Sequence, residues 1–136
     1  MQKIIIDTDP GVDDAHAILL ALAHPGVRVE AITTVNGNVS LEKTTANALK
    51  ILDVAGKDIP VFAGCAAPLI NTPAHASFVH GTDGLGDCNL PASRRKVEKD
   101  HAANALVRLA NEHPGEITLV AIGPLTNLAV ALRLDP

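Results

Sequence analysis

Aromatic residues are nearly absent from this 136-residue chain, which has Phe62 and Phe78 but neither Trp nor Tyr. That removes the stacking platforms on which single-stranded nucleic acids are held, and it leaves the core to Ala, Val, Ile and Leu. Cysteine is scarce as well. Cys65 and Cys88 are too few for a disulfide scaffold and fall in no CxxC or zinc-type spacing, so a reduced, cytoplasmic setting is expected. No apolar run approaches the ~18 residues of a membrane span. The Met-Gln-Lys start, followed by three isoleucines and then Asp7, lacks the basic and long apolar regions of a secretory signal. Positive charge is in deficit: 11 Lys and Arg face 15 Asp and Glu, which argues against a general nucleic-acid surface. Repeats, low-complexity tracts and linkers are missing too. What remains is a chain too apolar for disorder, at 47% hydrophobic and 19% charged residues, and long enough to bury a core as one domain over 1–136.

The net charge of -4 has a local origin. Asp7, Asp9, Asp13 and Asp14 lie in one eight-residue window, and outside it acids and bases are equal in number. That window follows Ile4, Ile5 and Ile6, a short β-branched run of the kind found in a strand buried on both faces. From Asp13 to His24 an Ala/Leu/Ile-rich stretch predicts a helix, with acids at its positive end and Pro25-Gly26 as its stop. A second strand is expected over 27–35. A helix should open at Ser40 and close at Gly56, with apolar positions at helical spacing. A third strand is expected over 60–63, a long helix over 97–112, a fourth strand over 117–122, and a last helix opened by Gly123-Pro124. Strands alternating with helices in this way predict an α/β fold: an open, mainly parallel sheet with helices on both faces.

Two features break the alternation. Residues 64–95 form a connection far longer than the usual ~2–6 residues, and it holds the glycine-rich stretch His80-Gly81-Thr82-Asp83-Gly84-Leu85-Gly86-Asp87. The chain also stops just after a helix, where an α/β unit would return to another strand, so the fold is expected to be truncated at its C-terminus. Such a sheet would expose an edge strand and apolar helix faces, and self-association into a homo-oligomer is expected. The basic cluster Arg94, Arg95, Lys96 and Lys99 reads as the solvated start of the third long helix.

In open parallel sheets the ligand crevice lies outside the carboxyl ends of the strands. The acidic turn, Thr33 to Asn38, the long loop and Ile122-Gly123 all fall there. Clustered carboxylates in a cleft repel one another, and a hard divalent cation is the usual remedy. The competing explanation is local: Asp13 and Asp14 favour the helix N-terminus while Asp7 and Asp9 cap the turn. An EF-hand is excluded, because the twelfth position counted from Asp7 is Ile18 rather than Glu. A magnesium-dependent phosphatase of haloacid-dehalogenase type also begins with a strand and Asp-x-Asp. Here, however, Pro10-Gly11 and the Asp13-Asp14 pair depart from its pattern, and it stands as a runner-up.

The segment Ile5-Ile6-Asp7-Thr8-Asp9-Pro10-Gly11-Val12-Asp13-Asp14-Ala15 resembles the N-terminal signature of the inosine-uridine preferring nucleoside hydrolase family. The resemblance continues through Val35-Asn36-Gly37-Asn38-Val39, Val61-Phe62-Ala63-Gly64, Val79-His80-Gly81, and Leu119-Val120-Ala121-Ile122-Gly123-Pro124-Leu125-Thr126-Asn127. Family members are about twice this length, so it covers the N-terminal part of a single, Rossmann-like hydrolase domain. It implies hydrolysis of the N-glycosidic bond of purine or pyrimidine ribonucleosides, to ribose and free base, by a Ca²⁺-bound water. On these residues it implies Asp7, Asp9 and Asp14 at the calcium, with the backbone carbonyl of Ile122. It also implies Asp9 as general base, Asp13 and Asn38 at the ribose, and His80 at the departing base. The family's other calcium-ligating aspartate and a second active-site histidine belong to the half beyond this sequence. The same resemblance therefore also admits an inactive, shortened relative that binds a metal or a partner. The remaining histidines (His16, His24, His75, His101, His113) and both cysteines are expected to be structural or solvent-facing.

Overall fold

The structure is a computed structural model describing residues 1–136. Four strands, β1 (Gln2–Thr8), β2 (Val27–Thr34), β3 (Val61–Ala63) and β4 (Ile117–Ala121), form one sheet in the order β3-β2-β1-β4, with every pairing parallel. Five helices accompany them: α1 (Val12–Ala23), α2 (Leu41–Ala55), α3 (Ser77–His80), α4 (Ala102–Glu112) and α5 (Thr126–Leu134).

The isoleucine run explains how β1 becomes the centre. Ile4 and Ile6 point to one face and join Ile18 of α1 with Ala48, Leu49 and Leu52 of α2. Ile5 points to the other and joins Ala102, Ala103, Ala105 and Leu106 of α4 with Ala131 of α5. Successive strand side chains alternate in direction, so three consecutive isoleucines serve two cores. The helices lie on both faces, as expected. Each stops where the sequence breaks it: α1 before Pro25, and α2 at Gly56, whose φ of 62° is a left-handed cap that the absent side chain permits.

Several boundaries differ from expectation. Strand β1 is longer than its isoleucines because Asp7 and Thr8 keep pairing with Thr33 and Thr34 of β2. The 64–95 connection contains the one-turn helix α3. The helix expected from residue 97 begins at Ala102, because Glu98 donates its backbone N–H to the Val61 carbonyl at 2.9 Å and extends the chain along β3. His101, expected to be structural or solvent-facing on that helix, is its N-cap and accepts from the Ala103 N–H at Nδ1, 3.2 Å. The basic cluster is consequently no helix start. Its Arg95 bridges Asp53 (2.7 Å) and Asp58 (2.8 Å), fastening the extended segment to the end of α2. The last helix starts at Thr126, three residues after Gly123.

The strand order has a functional consequence. From β1 the chain steps to β2 and then β3, and it returns on the opposite side of β1 with β4. The switch in direction lies between β1 and β4, and in folds of this kind a ligand crevice opens there, beyond the carboxyl ends of the strands. Strand β4 is an edge. Leu119 and Leu132 are exposed, and an apolar groove of about 270 Å³ runs between Ile5, Leu106, Ile117, Leu119 and Leu128. No helix is long and apolar enough to cross a membrane.

Candidate active site

The acidic turn occupies the switch point. Asp7 lies in the buried end of β1, Asp9 follows in the turn, and Asp13 and Asp14 sit in the first turn of α1. Three of the four are withdrawn from solvent, with relative exposures of 0% for Asp7, 6% for Asp9 and 5% for Asp14. Asp13, whose side chain is 83% exposed, stays in solvent.

Each buried carboxylate has its own set of donors. Asp14 Oδ1 accepts from the Thr8 hydroxyl (2.7 Å), and its Oδ2 accepts from the Gly11 N–H (3.0 Å) and the Asn38 amide (3.1 Å). The local reading of the acids is thus right in part: Asp14 does satisfy the N-terminus of α1. Asp9 Oδ2 accepts from the Asn38 N–H at 2.7 Å, while the Asn38 side-chain amide donates to the Asp9 carbonyl at 3.0 Å. Asn38 therefore ties both carboxylates together, and both amide protons are used. Its Oδ1 has no protein partner and is free to accept from a ligand.

Asp7 is the most buried. Its Oδ2 accepts from Thr33 Oγ1 (2.6 Å) and from Asn127 Nδ2 (2.8 Å), and its Oδ1 is buried with no partner at all. Burial pushes the Asp7 carboxyl above the usual aspartate range, against the two hydrogen bonds that lower it. Asp9 is pushed up to about 6, chiefly by burial and further by the charges of Asp14 and Asp13, with the Asn38 N–H opposing. A carboxylate titrating near neutrality in a crevice is the arrangement expected of a general base.

Two glycines make room for Asp9. A side chain at Gly37 would collide with the Asp9 carboxylate, and a Cβ at Gly123 would lie 2.9 Å from the Asp9 nitrogen and 3.0 Å from its Oδ1. The turn of Ile122 and Gly123 is held there by the Asp7 carbonyl, which accepts from the Ile122 N–H at 2.9 Å and the Gly123 N–H at 3.3 Å. Ile122, singled out by the resemblance for a carbonyl ligand, is therefore held beside Asp7, and its neighbour Gly123 lies against Asp9.

His80, at the end of α3, reaches the other side of the turn. Its Nδ1 accepts from the Val12 N–H at 3.2 Å and lies 3.7 Å from the Asp13 carboxylate. The Val12 bond requires a lone pair on Nδ1, so the neutral ring carries its proton on Nε2, which no protein group engages. The long loop is pinned twice more, through His75 Nε2 to Asn36 Oδ1 (3.0 Å) and the Ala76 N–H to the Asn38 carbonyl (2.8 Å). His75, expected to be structural or solvent-facing, holds the site's own loop through Asn36.

The donor set fits a hard cation. None of Asp7, Asp9 and Asp14 is paired with a Lys or Arg, and Asp7 Oδ1 is an orphaned buried acceptor. The side chains alone do not complete a site, since no three His, Cys, Asp or Glu groups converge closely enough to hold a metal. A cation here must draw on backbone carbonyl or water oxygens as well.

The family model of the inosine-uridine preferring nucleoside hydrolases matches residues 4–136. The chain belongs to this family. Uridine nucleosidase 1 of Arabidopsis thaliana is 48% identical over 136 residues, covering 98% of this chain and 40% of the relative. The inosine-uridine preferring nucleoside hydrolase of Leishmania major is 48% identical over 138 aligned positions, covering 99% and 44%. Among solved structures, a plant nucleoside hydrolase superposes with a TM-score of 0.95 at 50% identity, covering 99% of this chain and 43% of that one. A purine-preferring ribonucleoside hydrolase from Gardnerella vaginalis gives 0.95 at 34% identity, covering 99% and 44%. The chain thus spans well under half the length of these nucleoside hydrolases. Membership in the family sets the phosphatase reading aside.

Three residues that shape the site carry no role in the sequence reading: Thr8, Thr33 and Asn127, each with 0% exposure. Thr33 had a faint signal, being a polar residue near the carboxyl end of β2, directly after the apolar pair Ala31 and Ile32. Asn127 lies inside a stretch quoted for the resemblance, yet nothing local in the sequence shows that it faces Asp7 across 120 residues. Burial and the neighbouring Asp7 charge push the Cys65 thiol up, which keeps it in the less reactive thiol form.

Proposed function

We propose that this chain carries the catalytic turn of a calcium-dependent ribonucleoside hydrolase, which cleaves the N-glycosidic bond of a purine or pyrimidine ribonucleoside to ribose and free base. The observation that carries the proposal is Asp9: a buried carboxyl pushed up to about 6, wedged between Asn38 and the turn of Ile122 and Gly123. Asp9, Asp14 and the Ile122 carbonyl would hold the cation, with Asp7 supporting the site from its buried side. When bound, calcium supplies a fixed positive charge that orients a water and makes it more acidic. Asp9 Oδ2 is committed to the Asn38 N–H, which leaves Oδ1 as the atom that takes the proton from the attacking water. Cleavage develops positive charge on the sugar ring, and the clustered carboxylates stabilise it electrostatically. The exposed Asp13 carboxylate and the free Asn38 Oδ1 accept from ribose hydroxyls. His80 presents its Nε2 proton to the departing base.

Ribose release from inosine and uridine, followed as reducing sugar with calcium present, tests this reading. Asp9→Asn is expected to lower the rate by at least about 10²-fold, the usual contribution of a general base. Release that persists in Asp9→Asn would remove Asp9 from the mechanism. Calcium binding without any release by the chain favours the second reading, a metal-binding module.

Self-association belongs to the same proposal. The unpaired β4 edge and its apolar groove resemble a strand-pairing surface. Sedimentation is expected to show dimers or larger species, and Leu119→Lys to return them to monomer; a wild-type monomer at every concentration contradicts it.

A further inference from the structure

We infer that Asn127 is a positioning residue of this site: it holds Asp7 and, through Asp7, fixes the turn of Ile122 and Gly123 against Asp9. Its significance for catalysis rests on the function proposed above; its geometry does not.

Asn127 lies in the first turn of α5 with no exposure at all. Every polar group of its amide is used. Nδ2 donates to Asp7 Oδ2 at 2.8 Å and to the Thr34 carbonyl at 3.0 Å, and Oδ1 accepts from the Cys65 N–H at 2.8 Å. One side chain thereby joins the ends of β1 and β2 and Cys65, two residues after β3, to the helix that follows β4. Room for it is reserved by Gly64, where any Cβ would collide with the Asn127 amide.

Asp7 is the shared element. Its side chain is held by Asn127 and Thr33, and its carbonyl holds the Ile122 and Gly123 N–H groups. The turn is short, and α5 begins four residues after Ile122. It is therefore gripped at one end by the Asp7 main chain and at the other by the helix that Asn127 anchors. Loosening either grip moves Gly123 off Asp9, against which it packs too closely to admit a Cβ. A residue that merely filled space here would not need an amide with three partners, since a buried polar group is retained only when it is satisfied.

The test is residue-resolved amide hydrogen exchange on the metal-free chain, paired with terbium luminescence as a probe of the cation site. In Asn127→Ala, exchange at Ile122 and Gly123 should accelerate by about tenfold or more over any change in the β1–β2 ladder and α2, as loss of a local hydrogen bond implies. Terbium affinity should fall by a similar factor. Should Asn127→Ala fail to fold, Asn127→Ser carries the same readouts, because a hydroxyl cannot span the three partners. Acceleration that is uniform across the sheet, or unchanged exchange at Ile122 and Gly123, overturns the inference and leaves Asn127 a purely structural residue. A wild-type chain that binds no terbium counts against the proposed cation site, while the exchange result still decides the role of Asn127.

Discussion

Asp9→Asn is expected to stabilise the metal-free chain at pH 7 while removing its affinity for calcium. The carboxyl titrates at about 6 in the folded chain, because burial opposes its charge. In the unfolded chain it titrates near the ordinary ~3.9. The folded state therefore binds this proton more tightly, and the contribution is fully present below about pH 4 and lost as pH rises through about 6. Above that, ionised Asp9 costs the fold roughly 3 kcal/mol. Asparagine keeps an oxygen for the Asn38 N–H and carries no charge, so most of that cost disappears. Urea denaturation in a chelator at pH 4, 5.5 and 7 checks the effect: wild type should weaken across this interval and Asp9→Asn should weaken less. Asp7 acts in the same direction, since burial raises it as well, and the slope is reduced rather than abolished. A slope equal in both proteins would show that Asp9 is not the strained group.

Asp14→Ala, five residues away, should do the opposite. Asp14 is as buried as Asp9, but its two oxygens accept from Thr8, Gly11 and Asn38 at 2.7–3.1 Å. Alanine leaves three donors without a partner, each worth about 1–3 kcal/mol when buried, and opens the N-terminus of α1. A total of about 3–5 kcal/mol is expected, with Asp14→Asn losing less because its carbonyl oxygen still accepts. Equal stability of Asp14→Ala and wild type in the same urea series would contradict the hydrogen-bond network described here. The pair separates two meanings of a buried acid. The Asp14 carboxylate is held by scaffold donors on both oxygens, whereas the Asp9 charge is kept at a cost to stability that the proposed function would explain.

Most of this division was hidden from the sequence, for identifiable reasons. The isoleucine run and the position of the acidic turn were legible because strand alternation and proline-glycine stops are local. Both faces of the sheet, its parallel order and the approach of Ile122 to the turn followed from them or from the resemblance. The start of α4 was missed because helix-compatible residues from Val97 onward are drawn into a backbone contact with β3, a tertiary override of local preference. Asn127 and Thr33 were missed because their partner is Asp7, and nothing in the spacing of 120 or 26 residues encodes a contact. The one-turn helix α3 is too short to have a period, yet it aims His80 at Val12. Which of the clustered acids were capped and which were strained depended on single hydrogen bonds, such as that of Thr8 to Asp14.

In the proposed function Asp9 and Asp14, with the neighbouring turn of Ile122 and Gly123, form a cation site. Calorimetric titration of the chain with calcium, at pH 6 in two buffers of different ionisation enthalpy, tests it most directly. One bound calcium with release of about half a proton is expected, since Asp9 is about half protonated at that pH. Binding should also be lost in Asp9→Asn, the variant expected to fold best. No calcium binding by the wild-type chain, or binding with unchanged affinity in Asp9→Asn, would contradict the proposed site.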